Sequence, residues 1–360
     1  MENMVEGIGG QKFFKGKNIL ITGASGFKGS WLSSILQSFG AQVIGYSLVP
    51  ESKNNLFTSS KLEDTIHYNY YENICDSEKL NEVFQKHEPE IVFHLAAQAL
   101  VRSSYKDPKL TYESNVLGSV NILEAVRNCE SVKSLIYVTS DKAYANQEWI
   151  WGYRENDELG GHDPYSASKA AAEIIFHSYL KSYFSDNGSI GIASVRAGNV
   201  IGGGDWAEDR IIPDCISALS DNKTIKIRNP IATRPWQHVL EPLSGYLLLA
   251  QRLYQNPTKY CGSWNFGPSS SSICNVEKLV KSIIKFWGDG SYECINDDNA
   301  VHEASLLHLN CDKANQLLSW YPKWDLNETL QRTVDWYKNN IEYGKPTTEL
   351  ILNDIKNYFK

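Results

Sequence analysis

What the chain lacks sorts it first. It has no Cys-x-x-Cys pair, and its seven cysteines (75, 129, 215, 261, 274, 294, 311) are scattered and odd in number. That usage fits reduced thiols and excludes a disulfide framework or a common zinc motif, so no metal is expected. No excess of positive charge is present: 35 Lys and Arg face 42 Asp and Glu, a net −7, with no basic stripe. A nucleic-acid partner is therefore not expected. No apolar run approaches the roughly 20 residues of a membrane span; Ile91–Leu95 is typical. The first 17 residues mix charge, glycine and two phenylalanines and lack the continuous apolar stretch of a signal peptide. The expected setting is the cytoplasm, with no membrane contact. Fixed-period repeats and low-complexity tracts are also missing.

What is there is an ordinary globular mix, 42% hydrophobic and 21% charged over 360 residues. At about 150 residues per domain this fits two domains, or one large domain with a lobe. The first two-thirds alternates short apolar runs with helical patterns. Strands are predicted at Asn18–Thr22, Gln42–Tyr46, Thr65–Tyr70, Glu90–Leu95, Lys133–Thr139 and Gly191–Arg196. Helices are predicted at Lys28–Phe39, Ser77–His87, Pro108–Asn128 and Tyr165–Phe184. Apolar, non-alternating strands separated by helices mean an α/β fold, a parallel sheet covered on both faces. After residue 200 the pattern loosens, with helices at Ile211–Leu219, Glu241–Tyr254, Asn275–Phe286, Lys313–Ser319 and Leu326–Ile341 and a strand at Thr224–Arg228.

Such sheets place functional groups at the carboxyl ends of their strands, where the notable polar residues fall. Thr22-Gly-Ala-Ser-Gly-Phe-Lys-Gly29 joins a strand to a helix. Gly23 permits a tight turn, Gly26 admits a pyrophosphate to the backbone, and Gly29 lets the helix lie close on the sheet. A dinucleotide is expected there. The second strand ends in Tyr46-Ser47, without the usual acidic residue and without an arginine for a 2′-phosphate, which favours NAD.

Tyr165-Ser-Ala-Ser-Lys169 begins a helix after Asp163-Pro164. Residues four apart share a helical face, and a neighbouring ammonium lowers a phenol from about 10 towards neutrality. Tyr165 could then take a hydroxyl proton while hydride leaves the same carbon. Val138-Thr-Ser-Asp-Lys142 ends a hydrophobic strand in polar groups. A hydroxyl there can hydrogen-bond the reacting oxygen. Asp141 and Lys142 add an acid and a base that alcohol oxidation alone does not need, which points to a second proton transfer.

With Phe93–Arg102, Trp149–Asn156, Ser194–Arg210, Arg228–Tyr246 and Trp320–Trp324, these motifs run nearly end to end. On them the chain resembles the extended short-chain dehydrogenase/reductase family of NAD-dependent epimerases and dehydratases, and within it the nucleotide-sugar 4,6-dehydratases. The resemblance implies a Rossmann-type doubly wound sheet with a smaller C-terminal substrate-binding lobe. Residues 1–200 would bind NAD and carry the Tyr/Lys pair; residues 201–360 would be mainly substrate-binding, with interleaved boundaries. It implies NAD contacts from Thr22, Gly23, Ser25, Gly26, Phe27, Lys28, Gly29, Asn73, Ile74, Leu95, Ala96, Ala97, Tyr165 and Lys169. It implies a nucleotide-diphosphate sugar held by Gln98, Arg102, Asn199, Arg210, Arg228, Arg234 and His302, with Arg234 leading on the diphosphate. Catalysis would fall to Ser140, Asp141, Lys142, Tyr165 and Lys169: oxidation at C4, C5 deprotonation by Lys142, loss of O6 protonated by Asp141, and hydride return to C6. CDP-glucose is the expected substrate. Another nucleotide sugar, a 4-epimerase reaction and a non-catalytic NAD-bound scaffold are the alternatives. A homodimer or dimer of dimers, paired through Pro108–Asn128 and Tyr165–Phe184, is also implied, as is a place in deoxysugar biosynthesis of the lipopolysaccharide O-antigen kind. Three positions depart from the family: Ala143 and Ala145 replace its usual Cys and Glu, and Asn73 its aspartate near the adenine.

Overall fold

The computed structural model describes residues 10–50, 52, 54–184, 188–207, 210–269, 272–295 and 306–360. Six strands come first: Asn18–Thr22 (β1), Gln42–Ser47 (β2), Tyr68–Tyr71 (β3), Ile91–His94 (β4), Ser134–Val138 (β5) and Gly191–Ala197 (β6). Short strands follow at Val200–Ile201 (β7), Ile225–Ile227 (β8), Thr233–Pro235 (β9) and Gln237–His238 (β10), then Gly262–Phe266 (β11), Ile273–Asn275 (β12) and Tyr292–Cys294 (β13). The central sheet has seven strands in the order β11-β6-β5-β4-β1-β2-β3. Every pair in it is parallel.

Alternate residues of these strands feed two cores. Leu20, Ile44, Val92, Leu135 and Ile192 face one side, packed with the helices Ser77–His87, Gly118–Arg127 and Pro164–Tyr179. Ile19, Ile21, Val43, Phe93, Ile136 and Val195 face the other, with Phe27–Ser38, Leu240–Gln255 and the C-terminal helices. Burial on both faces is why the strands read as unbroken apolar runs: all seven residues of β6 are buried. This is the doubly wound arrangement expected.

Three features depart from the sequence expectation. The long helix from Pro108 is interrupted by a wider turn at Glu113–Leu117. There Asn115 turns inward: its Oδ1 accepts from the Gln98 N–H at 2.8 Å and its Nδ2 donates to Ser168 Oγ at 2.8 Å. A side chain with partners off its own helix is what opens a helical ladder. Second, β11 joins the central sheet beside β6, although its five residues carry no strand signal longer than Trp264-Asn-Phe266. Third, a helix runs from Thr347 to Tyr358. It buries Leu350, Ile351, Ile355 and Tyr358 along one stripe, and the same stripe carries Asp354.

Asp354 is an unusual member of that stripe. Burial pushes its carboxyl up to about 7, an effect only partly opposed by Arg332 at 3.6 Å. Its Oδ2 has no partner among the described residues. A carboxyl whose folded value lies above its unfolded one binds more protons when folded, so its contribution falls as pH rises from about 4 to about 7. Asp354→Asn should therefore raise the melting temperature at pH 8, by a gain on the order of 1 kcal/mol or more, and leave it unchanged at pH 4. Thermal melts at the two pH values check this.

Candidate active site

The glycine turn follows β1. Gly23 has a φ of +74°, and a Cβ there would lie 2.7 Å from the Ala96 nitrogen. A Cβ on Gly29 would lie 2.1 Å from the Gly23 carbonyl oxygen. Both positions need glycine, one for its conformation and the other for contact with the turn. Gly26 precedes the Phe27–Ser38 helix as its N-cap residue and is exposed. The first N–H groups of a helix lack intrahelical acceptors and meet negative charge. A bare-backbone cradle at a helix start is what a dinucleotide pyrophosphate fits.

Around it, Thr22 Oγ1 lies 2.7 Å from His94 Nδ1 and accepts from the Ala96 N–H at 3.2 Å. Leu95, Ala96 and Ala97 therefore follow β4 alongside the turn, each half-buried. Burial holds His94 down to about 3 and hence neutral, a bracing residue of the strand end. Ser25 is tied to the end of β2: its N–H donates to Ser47 Oγ at 3.3 Å and its hydroxyl to the Leu48 carbonyl at 3.0 Å. Asn73 is exposed, with Oδ1 accepting from the Cys75 N–H, and Ile74 is buried beside Gly118.

The expected reacting groups come from the stretch just after β5 and from the Pro164–Tyr179 helix. Asp163 caps that helix, accepting from the Ser166 N–H at 3.0 Å, and Pro164 opens it. Tyr165 thus stands in the first turn, its N–H donating to Ser104 Oγ at 3.2 Å. The Ser140 hydroxyl hydrogen-bonds the Tyr165 phenol and lies 3.0 Å from Asp141 Oδ1. Ser140, Asp141, Tyr165 and Lys169 are all buried; Lys142 is half-buried.

The phenol is not depressed as the four-residue spacing led us to expect. Burial pushes Tyr165 up to about 12, more than the Ser140 hydrogen bond brings it down. Burial also brings Lys169 down to about 8, helped by the charge of Lys28 and opposed by Glu173. Asp141 is pushed up by burial, against the pull of Lys142, Ser140, Lys28 and Arg234. A raised carboxyl is one that can still hold a proton to give.

The expected sugar-side residues divide. Arg234 acts on Asp141, and Arg210 acts on Tyr165 while pairing with Asp205 at 2.7 Å. Asn199 lies beside Gly198, whose Cβ would sit 3.0 Å from Asp141 Oδ2. Gln98 spends its side chain on its own loop, donating to and accepting from Leu100. Arg102 is half-buried in the Val101–Lys106 helix, and Arg228 is exposed at the end of β8. His302 lies outside the described residues.

Sequence reasoning missed two groups. Asn115 links the Gln98 loop to Ser168, between Tyr165 and Lys169; a polar residue in the middle of a helical run was its only signal. Glu173, one turn beyond Lys169, is fully buried. It accepts both arms of the Arg196 fork at 2.9 Å, Thr139 Oγ1 at 2.5 Å and Ser194 Oγ at 2.9 Å. Burial alone would raise its carboxyl; the Arg196 guanidinium, with the Thr139 and Ser194 hydroxyls, outweighs that and holds it below the usual range.

Glu173→Ala strands the Arg196 charge in the interior and should cost about 3–5 kcal/mol, read as the shift in a denaturant unfolding midpoint. Gly29→Ala should weaken dinucleotide binding at least about tenfold by calorimetry, since a Cβ there displaces the turn.

A family model described as GDP-mannose 4,6 dehydratase matches residues 20–333. The chain is 48% identical over 332 residues to a CDP-glucose 4,6-dehydratase of Salmonella typhimurium, spanning 91% of this chain and 92% of that protein. A solved dTDP-glucose 4,6-dehydratase from Bacillus anthracis in complex with NAD is similar over 92% of this chain and 99% of that one, with a TM-score of 0.77 at 25% identity. A solved UDP-glucose 4-epimerase from Thermotoga maritima shares the fold, with a TM-score of 0.75 at 24% identity over 90% and 99% of the two chains. By the match over residues 20–333, this chain belongs to the GDP-mannose 4,6 dehydratase family.

Proposed function

We propose that the chain is an NAD-dependent lyase that converts CDP-glucose to CDP-4-keto-6-deoxyglucose. The observation that carries this reading is Asp141: a buried carboxyl, pushed up by that burial, sits 3.0 Å from the hydroxyl that contacts Tyr165. Oxidation and re-reduction at C4 need no such acid, whereas loss of O6 as water does. The 48% identity to a CDP-glucose 4,6-dehydratase supports the same reaction over the epimerase alternative.

NAD, when bound, would supply the hydride chemistry at C4 and C6. The glycine cradle of Gly23, Gly26 and Gly29 would hold its pyrophosphate, with Thr22, Ser25, Phe27, Lys28, Asn73, Ile74, Leu95, Ala96 and Ala97 lining its course. Tyr165 takes the proton from the sugar O4, with Ser140 holding the phenol. Lys169 keeps positive charge near the phenol's end of the helix, favoured by Glu173. Once C4 is a ketone, C5–H is acidic and an amine beside Asp141 removes it. Lys142 is the amine the sequence offers; Lys28 acts on the same carboxylate. Asp141 gives its proton to O6, which leaves as water. Arg234 and Arg210 would meet the diphosphate, with Arg228, Arg102, Asn199, Gln98 and His302 as further substrate contacts. Residues 201–360 form most of that substrate side.

The pairing reading stands on exposed apolar side chains along the two expected helices: Leu110 and Leu117 on one, Ile174 and Tyr183 on the other. Such a stripe on a monomer marks an interface, here a homodimer or a dimer of dimers. A cytoplasmic setting rests on free cysteines and, among the described residues, on no helix long and apolar enough to cross a membrane.

Incubation with CDP-glucose and NAD should give a product one water lighter by mass spectrometry, with the alkaline ultraviolet absorbance of a 4-keto sugar. Unchanged hexose or a galactose-type product would overturn the reading. Tyr165→Phe should lower turnover by about 100-fold or more with an unchanged melting temperature; equal activity in that variant removes Tyr165 from the reaction.

A further inference from the structure

The helix that presents Tyr165 begins at Pro164, which has no N–H. Asp163 meets the Ser166 N–H with its carboxylate at 3.0 Å and the Ala167 N–H with its carbonyl at 2.9 Å. The Tyr165 N–H is the first-turn donor that this cap leaves over. It donates instead to Ser104 Oγ at 3.2 Å, on the Val101–Lys106 helix. The Ser104 hydroxyl gives its own proton to the Val101 carbonyl at 2.7 Å, and its oxygen faces the tyrosine as an acceptor. The Tyr165 carbonyl is held as well, by the Ser168 hydroxyl at 2.7 Å. Ser168 accepts from Asn115 Nδ2 at 2.8 Å, and the same amide takes both main-chain groups of Gln98: Oδ1 accepts from the N–H at 2.8 Å and Nδ2 donates to the carbonyl at 3.0 Å. Ser104, Ser168 and Asn115 are all buried. These bonds close a ring. The segment 98–104 is tied at its first residue, through Asn115 and Ser168, to the Tyr165 carbonyl, and at its last residue to the Tyr165 N–H. That segment carries Gln98 and Arg102, two of the expected sugar-side residues.

We infer that Ser104 is a positioning residue for the C4 oxidation, fixing the Tyr165 backbone against the segment that is to meet the sugar. The inference rests on the oxidation half of the reaction proposed above. To take the O4 proton, the phenol oxygen must come within hydrogen-bond reach of O4, about 2.6–3.2 Å. A side chain pivots on its Cα, so any play in the Tyr165 backbone is carried along the ring to the hydroxyl. Tolerance at that end is small, since a misplacement of about 1 Å can cost about 100-fold in rate. Alanine at 104 leaves the Tyr165 N–H buried without an acceptor, a state that costs free energy until the turn shifts to find one. It also parts Tyr165 from the last residue of the sugar-side segment. Ser104 touches no reacting atom and acts through Tyr165 alone.

The test is rapid mixing of NAD-loaded wild type, Ser104→Ala and Ser104→Thr with CDP-glucose, followed by the near-ultraviolet absorbance of the reduced dinucleotide. Ser104→Ala should lower the limiting rate constant by at least about tenfold. The CDP-glucose concentration at half-maximal rate should stay within about threefold of wild type. Ser104→Thr keeps a hydroxyl that can bond back along its helix, and its rate constant should stay within about threefold of wild type. A partly folded preparation lowers the amplitude and not the rate constant, so loss of structure is not mistaken for loss of position. An alanine variant with the wild-type rate constant overturns the inference. So does equal slowing in the alanine and threonine variants, which is a packing effect, or a change confined to the half-maximal concentration, which places Ser104 in sugar binding alone. Oxidation precedes water loss, so a wild type that reduces its dinucleotide yet releases no water defeats the proposed dehydration while the Ser104 comparison still reads.

Discussion

The buried pair of Glu173 and Arg196 is the joint on which the site hangs. Both side chains are fully buried. Glu173 belongs to the helix that presents Tyr165 and Lys169, and its carboxylate accepts from Thr139 at the end of β5 and from Ser194 and Arg196 on β6. Arg196 also donates to Ser263 on β11 and to the Glu155 carbonyl, and its guanidinium lies 4.7 Å from the Tyr144 ring centroid. One ion pair thus fixes a helix against three neighbouring strands. Two charges inside a protein are tolerated only when each is paired and hydrogen-bonded, and here both are.

That joint decides where the chemistry can occur. Thr139 leads directly into Ser140 and Asp141, so holding it to Glu173 holds the acid and the Tyr165 contact in one frame. Burial then does opposite things to the two kinds of group. It raises the phenol and the carboxyl and lowers the two lysines. Each shift is towards the neutral form, because burial penalises charge. The cations around Asp141 temper this without reversing it.

Much of this was legible in order along the chain. The strand-turn-helix around Gly23 and Gly29 announced its own geometry, because a positive φ and a contact at backbone distance both require glycine. The Ser77–His87 helix was read to the residue, since Asp76 caps it and its apolar positions repeat at helical spacing. The wider turn at Glu113–Leu117 was not legible, because its cause is a contact of Asn115 with residues 17 and 53 positions away. The Thr347–Tyr358 helix carried a periodic signal that went unread. For β11, five residues between loops read as a strand only once β6 stands beside them.

By itself the sequence determined the parallel sheet, the dinucleotide turn and the candidate side chains at the strand ends, because periodicity, glycine sterics and four-residue spacing are local properties of a chain. The tertiary structure alone decided the ionisation of those side chains and their neighbours. Burial raised Tyr165 where spacing alone implied the reverse, and the fold brought Lys28 of the first turn into the field of Asp141, just after the fifth strand. Desolvation and charge proximity depend on what the whole fold places around a group, and no window of sequence contains that.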